Sequence, residues 1–220
     1  MLIDLEGLDG SGKTTQAELL CRRLDKKGIA CRKIKLPDYG SDSSALVRMY
    51  LAGEFGSSAD DVNAYAASSF YAVDRYASYN TDWKAEYLSG KLIFADRYTP
   101  ANAVYQMTKL PREQWDYYLS WLSDFEYEKL CVPKPDLVLF LDMPVAVSQK
   151  LMSSRYNGDE SRKDVHECDV RFLNECREAA LYAAERCGWK LVPCSDGEQP
   201  YSVEKINDVI FEAVCGALGI

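Results

Sequence analysis

One stretch constrains the fold more than any other. Residues 7–14 read Gly7-Leu8-Asp9-Gly10-Ser11-Gly12-Lys13-Thr14, directly after the apolar run Leu2–Leu5 and directly before the helix formers Gln16, Ala17, Glu18, Leu19 and Leu20. This is G-x-x-x-x-G-K-[ST] in a strand–loop–helix setting, which commits the chain to an α/β architecture with a phosphate site at its N-terminal edge. Gly7, Gly10 and Gly12 allow a tight turn whose N–H groups converge at the positive end of the next helix. The span Gly7, Leu8, Gly10, Ser11, Gly12, Lys13, Thr14 and Thr15 is therefore the expected nucleotide cradle. Lys13 is expected to reach the β- and γ-phosphates, and the Thr14 hydroxyl to ligate Mg²⁺.

The rest of the chain extends that pattern. Apolar runs at Leu2–Leu5, Ala30–Leu36, Leu92–Ala95, Leu137–Leu141 and Lys190–Pro193 alternate with helical patterns near 13–27, 43–53, 60–80, 101–131, 144–154, 167–187 and 202–217. Such alternation predicts a single doubly wound domain over 1–220: a five-stranded parallel sheet with helices on both faces. Ligands then belong at the carboxyl ends of the strands. The polar, charged run 153–166 between two helices reads as a lid.

Composition narrows the function classes. Lys plus Arg at 26 against Asp plus Glu at 34 leaves a net charge of −8, which argues against a nucleic-acid polymer as partner. No run of eighteen apolar residues is present, so no membrane span is expected. The charged N-terminal strand, with Asp4 and Glu6, is unlike a secretory signal. Eight cysteines without a C-x-x-C pair favour reduced, buried thiols over disulfides or zinc. Together these point to a cytoplasmic enzyme.

A second constellation, Asp96-Arg97-Tyr98, stands at the exit of the third apolar run. If that strand neighbours the first, Asp96 can hold Mg²⁺ directly or through water, and Arg97 can bridge two phosphates with its planar fork.

The phosphate loop, Phe70-Tyr71-Ala72-Val73-Asp74-Arg75, Asp96-Arg97-Tyr98 with Tyr105-Gln106, the Leu36-Pro37 step, Pro133-Lys134-Pro135-Asp136 and an Arg-containing lid together resemble the thymidylate kinases over nearly the whole chain. The resemblance implies a P-loop kinase fold with a lid, Mg²⁺-dependent transfer of the γ-phosphoryl of ATP to dTMP, and a homodimer formed through the helices around 60–80 and 101–131. It implies that Asp9 accepts from the sugar 3′-hydroxyl, Tyr71 stacks on thymine and Arg75 donates to its O4. By the same likeness Asn102 and Tyr105 line the base and the C2′ side, Tyr39 and Arg48 lie near the acceptor phosphate, and Leu36–Pro37 is cis. Adenine contacts fall around Ser195–Gln199. Because Gly10 carries no side chain, the catalytic arginine would come from the lid, as Arg155 or Arg162, acting with Lys13 and Arg97. His166 and Glu167 read as lid-end residues without a chemical step. Two rivals stay open: a deoxynucleoside kinase using Asp38 as base, and a nucleotide-binding module without turnover. A GTPase is disfavoured, since Leu141-Asp142-Met143-Pro144 stands where a guanine-reading run would follow the fourth strand.

Overall fold

All six residues of β1 (Leu2–Gly7) are buried, which is the signature of a strand covered on both faces. In the computed structural model, which describes residues 1–56, 61–155 and 170–220 (without the side chains of 153–155), β1 is the centre of a five-stranded sheet. The other strands are β2 (Cys31–Lys35), β3 (Leu92–Asp96), β4 (Leu137–Asp142) and β5 (Lys190–Pro193), in the order β2-β3-β1-β4-β5 and parallel throughout. The expected sheet is thus observed, and β3 does neighbour β1, with Leu5 opposite Asp96.

Alternation along β1 divides the core. Ile3 and Leu5 point into a cluster with Leu20 and Leu24 of α1 (Lys13–Lys26) and with Ile206, Ile210 and Val214 of the last helix, Val203–Leu218. Leu2 faces the other side, with Trp83, Tyr98 and Val132. On that same side lie Asp4 and Glu6, both fully buried. The two acidic residues of the central strand are therefore interior.

The helices follow local signals. Asn63 caps α3 (Ala64–Ser78) by accepting from the Ala66 N–H at 2.9 Å. A shorter α2 (Ala45–Leu51) precedes it, and a π-helical turn, Tyr79–Trp83, continues it into α4 (Lys84–Leu88). The predicted helix 101–131 is corrected. It is α5 (Pro100–Tyr105), two short 3₁₀ turns, α6 (Trp115–Ser123) and a π-helical turn, Asp124–Lys129. Pro111 causes the break: it lacks an N–H and forces Leu110 into an extended conformation, φ −109° and ψ 146°. Next come α7 (Val145–Arg155) and α8 (Val170–Cys187), whose Ala179, Ala180, Ala183 and Ala184 are all buried. The helix Val203–Leu218 is α9. Residues 156–166 of the lid, with Arg162 and His166, and Glu167 after it lie outside the described residues.

The cysteines depart partly from expectation. Cys176, Cys194 and Cys215 are buried, Cys21 and Cys31 half-buried, and Cys131 and Cys187 exposed. No described helix is long and apolar enough to cross a membrane.

Candidate active site

Gly10 and Gly12 adopt φ +77° and +88°, a region that penalises any Cβ. They turn the chain from β1 into α1 so that the loop opens on the carboxyl edge of the sheet. A Cβ on Gly10 would meet Met152 Cγ at 2.9 Å, so the loop is packed closely under α7. Among the described residues the Cβ position of Gly12 is open, and no side chain caps the first amides of α1. That leaves donors at the positive end of a helix with room for an anion. Lys13 donates to the Gly7 and Leu8 carbonyls at 2.7 and 2.9 Å. Its ammonium is 3.8 Å from Asp9, and burial, with Arg97 nearby, pulls its pKa down to about 8.

Asp96 meets the loop from β3. The Thr14 hydroxyl donates to Asp96 Oδ2 at 3.3 Å. A hydroxyl and a carboxylate side by side are the hard oxygen donors Mg²⁺ takes when phosphates and water complete its shell, so this pair fits the ion. Among the described residues there is no group of three or more His, Cys, Asp or Glu that could cage a metal without substrate.

Arg97 follows in a left-handed conformation, φ +71°, which is unusual for a side chain of its size. Two contacts from β1 hold it there. The Arg97 N–H donates to the Leu5 carbonyl at 3.3 Å, and the next N–H, of Tyr98, to Glu6 Oε1 at 3.0 Å. The side chain turns back over the loop, where its guanidinium pairs with Asp9 and lies 4.9 Å from the Tyr105 ring centre. Asp9 is thus neutralised between Arg97 and Lys13, which explains a carboxylate inside a phosphate loop. Burial pushes the Glu6 carboxyl up to about 7, and both burial and Glu6 drive Asp4 well above the usual carboxylate range.

Beyond Arg97 the cleft, about 890 Å³, passes between α3 and α5. Tyr71 and Arg75 project into it one helical turn apart, with Asn102 and Tyr105 from α5 and Tyr39 from the turn after β2. Tyr71 is met edge-on by Tyr50, at 6.5 Å and 86°. Arg75 is buried and held on Glu126: Nε and Nη2 reach the carboxylate at 2.6 and 2.5 Å. Burial opposes its charge, but Glu126 overrides that and keeps its pKa above the ordinary value. Glu126 also accepts from Thr99 Oγ1 at 2.8 Å and Asn102 Nδ2 at 3.2 Å.

The cleft therefore gathers most of the expected residues. Asp9, Gly10, Gly12 to Thr15, Tyr39, Tyr71, Arg75, Asp96, Arg97, Asn102 and Tyr105 all line it. Gly7, Leu8 and Ser11 form the loop beneath and do not face it. Arg155 ends α7, and its side chain, like Arg162, falls outside what is described. Arg48 is placed differently: it is exposed, and its Nη1 is spent on the Tyr39 and Ser41 carbonyls and Ser44 Oγ, where it pins the turn after β2. The Ser195–Gln199 turn, folded around Asp196, is not among the lining residues. Leu36–Pro37 is cis, a question the sequence alone leaves open. Sequence reasoning missed Tyr50 and Lys109 in the lining, gave Gln106 of the Tyr105-Gln106 pair no role, and missed Glu126 behind the cleft. Asp74, beside Arg75, accepts from the Asp38 N–H and Ser43 Oγ and ties α3 to the turn bearing Tyr39.

Comparison with known proteins agrees with this geometry. The family model described as thymidylate kinase matches residues 5–204. The thymidylate kinase of Mycobacterium tuberculosis is 31% identical over 194 residues, 83% of this chain and 84% of that protein. A probable thymidylate kinase of Thermococcus onnurineus is 32% identical over 188 residues, covering 84% and 85%. That of Fervidobacterium nodosum is 27% identical over 181 residues, covering 80% and 86%. With a family model spanning nearly all of the chain, and relatives above 30% identity matched over most of their length, the chain belongs to the thymidylate kinase family.

Proposed function

We propose that this enzyme transfers the γ-phosphoryl group of ATP to dTMP, giving ADP and dTDP, and that the cleft holds the two nucleotides end to end. The observation that carries the reading is the continuity of one cleft: a cationic phosphate loop at one end, an aromatic–guanidinium slot at the other, and Arg97 between them. ATP phosphates take the open donors at the start of α1 and draw the Lys13 ammonium away from the loop carbonyls. The dTMP base stacks on Tyr71, with Arg75 and Asn102 reading its polar edge and Tyr105 beside C2′.

The chemistry needs no general base, because a dTMP phosphate oxygen is already anionic near neutral pH. That oxygen forms a bond to the γ-phosphorus as the bond to the bridging oxygen breaks, and ADP leaves. Charge moves outward during the step, so preorganised cations count most. Lys13 and Arg97 supply two. Arg155 or Arg162 of the lid supplies a third. Thr14 and Asp96 would hold Mg²⁺, which would supply charge neutralisation to the phosphates there. Asp9, released from Arg97, accepts from the sugar 3′-hydroxyl. We further propose a cytoplasmic homodimer packed through α3 and α6, checked by light scattering on the purified chain.

The deoxynucleoside kinase alternative requires a base in the cleft. Asp38 is exposed and outside the lining, with Oδ1 turned to the Gly40 N–H at 3.1 Å. An ADP-release assay with dTMP, thymidine, dUMP and dCMP decides between the readings: turnover with dTMP but not thymidine supports the monophosphate acceptor, and the converse overturns it. In the same assay Ala at the essential lid arginine should lower kcat by orders of magnitude and leave dTMP affinity nearly unchanged. Unchanged turnover in both Arg155→Ala and Arg162→Ala removes the lid from the chemistry.

A further inference from the structure

Two cysteines meet on the side of the domain away from the chemistry. Cys21, in α1, and Cys31, the first residue of β2, place their sulfurs 3.6 Å apart. The contact is set by the backbone. After Lys26 the chain closes α1 with paired bonds, Ile29 N–H to the Leu24 carbonyl at 3.0 Å and Gly28 N–H to the Asp25 carbonyl at 2.8 Å. Gly28, at φ +75°, makes the left-handed step this closure needs. The chain then doubles back, and β2 begins beside the helix it has just left. Cys31 packs against the main core from this position, with the Cys21 sulfur in contact with it.

We propose that Cys21 and Cys31 are a thiol pair that a hydroperoxide converts to an intramolecular disulfide, stapling α1 to the edge strand β2. The electron balance is simple. The Cys21 thiolate attacks one oxygen of the peroxide; an S–O bond forms, the O–O bond breaks, and the departing alkoxide or hydroxide takes a proton. The Cys31 sulfur then attacks the sulfenic sulfur; the S–S bond forms, the S–O bond breaks, and water leaves with the Cys31 proton. Two thiols are oxidised by two electrons, and one peroxide is reduced.

The surroundings assign the two roles. The hydrogen bond between the sulfurs, with Lys33 nearby, lowers the Cys21 thiol to about 7 against the opposing effect of burial. The same hydrogen bond, together with burial, drives Cys31 upward. One sulfur is therefore the thiolate at neutral pH, and the other remains a thiol until the sulfenic acid forms beside it. Both are half-buried, which admits a small peroxide.

The test is a peptide map of the full chain. Reduced protein is treated with equimolar hydrogen peroxide, its remaining thiols are alkylated, and it is digested with trypsin without reductant. The expected product joins peptide 14–22 to peptide 28–32, and dithiothreitol releases it. Alkylatable Cys21 should disappear before exposed Cys131, which has no neighbouring sulfur to complete a disulfide among the described residues. In Cys31→Ser the reaction stops at a sulfenic acid on Cys21, trapped by dimedone. Recovery of both peptides alkylated as in untreated protein, or linkage of either to Cys131 or Cys187 instead, overturns the assignment.

Discussion

Glu126 touches no substrate in this reading, yet it organises the acceptor end of the cleft. Replacing it with Ala leaves the Arg75 guanidinium buried (3% exposed) without its partner and removes the acceptor shared by Thr99 and Asn102. Breaking one side of a buried ion pair costs roughly 3–5 kcal/mol, and in a domain of this size each kcal/mol lowers Tm by roughly 2–4 °C. A loss of about 10 °C is therefore expected in a thermal melt, with urea titration giving the free energy directly. Function should divide by substrate. With Arg75 and Asn102 no longer fixed, the KM for dTMP should rise roughly ten- to a hundredfold, the worth of one or two charge-assisted hydrogen bonds, while the KM for ATP stays within about twofold. A double variant, Arg75→Met with Glu126→Leu, should recover much of the stability, because no charge is left unpaired, but not the dTMP affinity. The reasoning is refuted if Glu126→Ala costs under about 1 kcal/mol, or if both KM values rise together.

Three other expectations follow from the same interior. Gly10→Ala should weaken ATP binding at least about tenfold and destabilise by about 1–2 kcal/mol, since the φ of +77° is strained for alanine and Met152 must shift; kinetics and urea melts check this. Asp4→Val should stabilise the protein at neutral pH by about 1–3 kcal/mol, because Asp4 is fully buried in the centre of the sheet beside the Glu6 carboxyl, with no well-formed hydrogen bond to either oxygen among the described residues; an unchanged urea midpoint would disprove it. Glu6 binds its proton more tightly folded (about 7) than unfolded (4.5), so its contribution is complete below about pH 4.5 and lost as pH rises through 7. Glu6→Gln should consequently show a shallower fall in unfolding free energy between pH 5 and pH 8 than the parent protein.

The phosphate loop and the three inner strands were legible because local chemistry specifies them: a glycine pattern that only one kind of turn uses, and apolar runs that a covered sheet buries, whereas the edge strands β2 and β5 bury one residue each. Helix 101–131 failed where a proline competed with a long amphipathic pattern and won. Glu126 was invisible for a different reason. In Asp124-Phe125-Glu126-Tyr127-Glu128-Lys129 it reads as one of several solvated charges, and only the π-helical turn carries it inside. Its partners come from as far away as Arg75, and no spacing rule links them. Arg48, which the sequence leaves open between an acceptor-phosphate cation and a surface helix charge, commits its Nη1 to main-chain carbonyls and Ser44 Oγ. Asp4 and Glu6 were read only as charges on the first strand; that both lie fully buried follows from the sheet's covered faces, which alternation along one strand does not assign to particular side chains.

The pairing of Leu5 with Asp96 has a consequence for how this enzyme tolerates change. The glycine loop and the turn holding Arg97 spring from neighbouring rungs of one ladder, so their separation is measured by hydrogen-bond register, without help from any loop length. Insertions in the surface connections leave that ruler untouched. Adding or deleting one residue within Leu92–Asp96 would swing Asp96 to the opposite side of the sheet and away from Thr14, with every strand still in place.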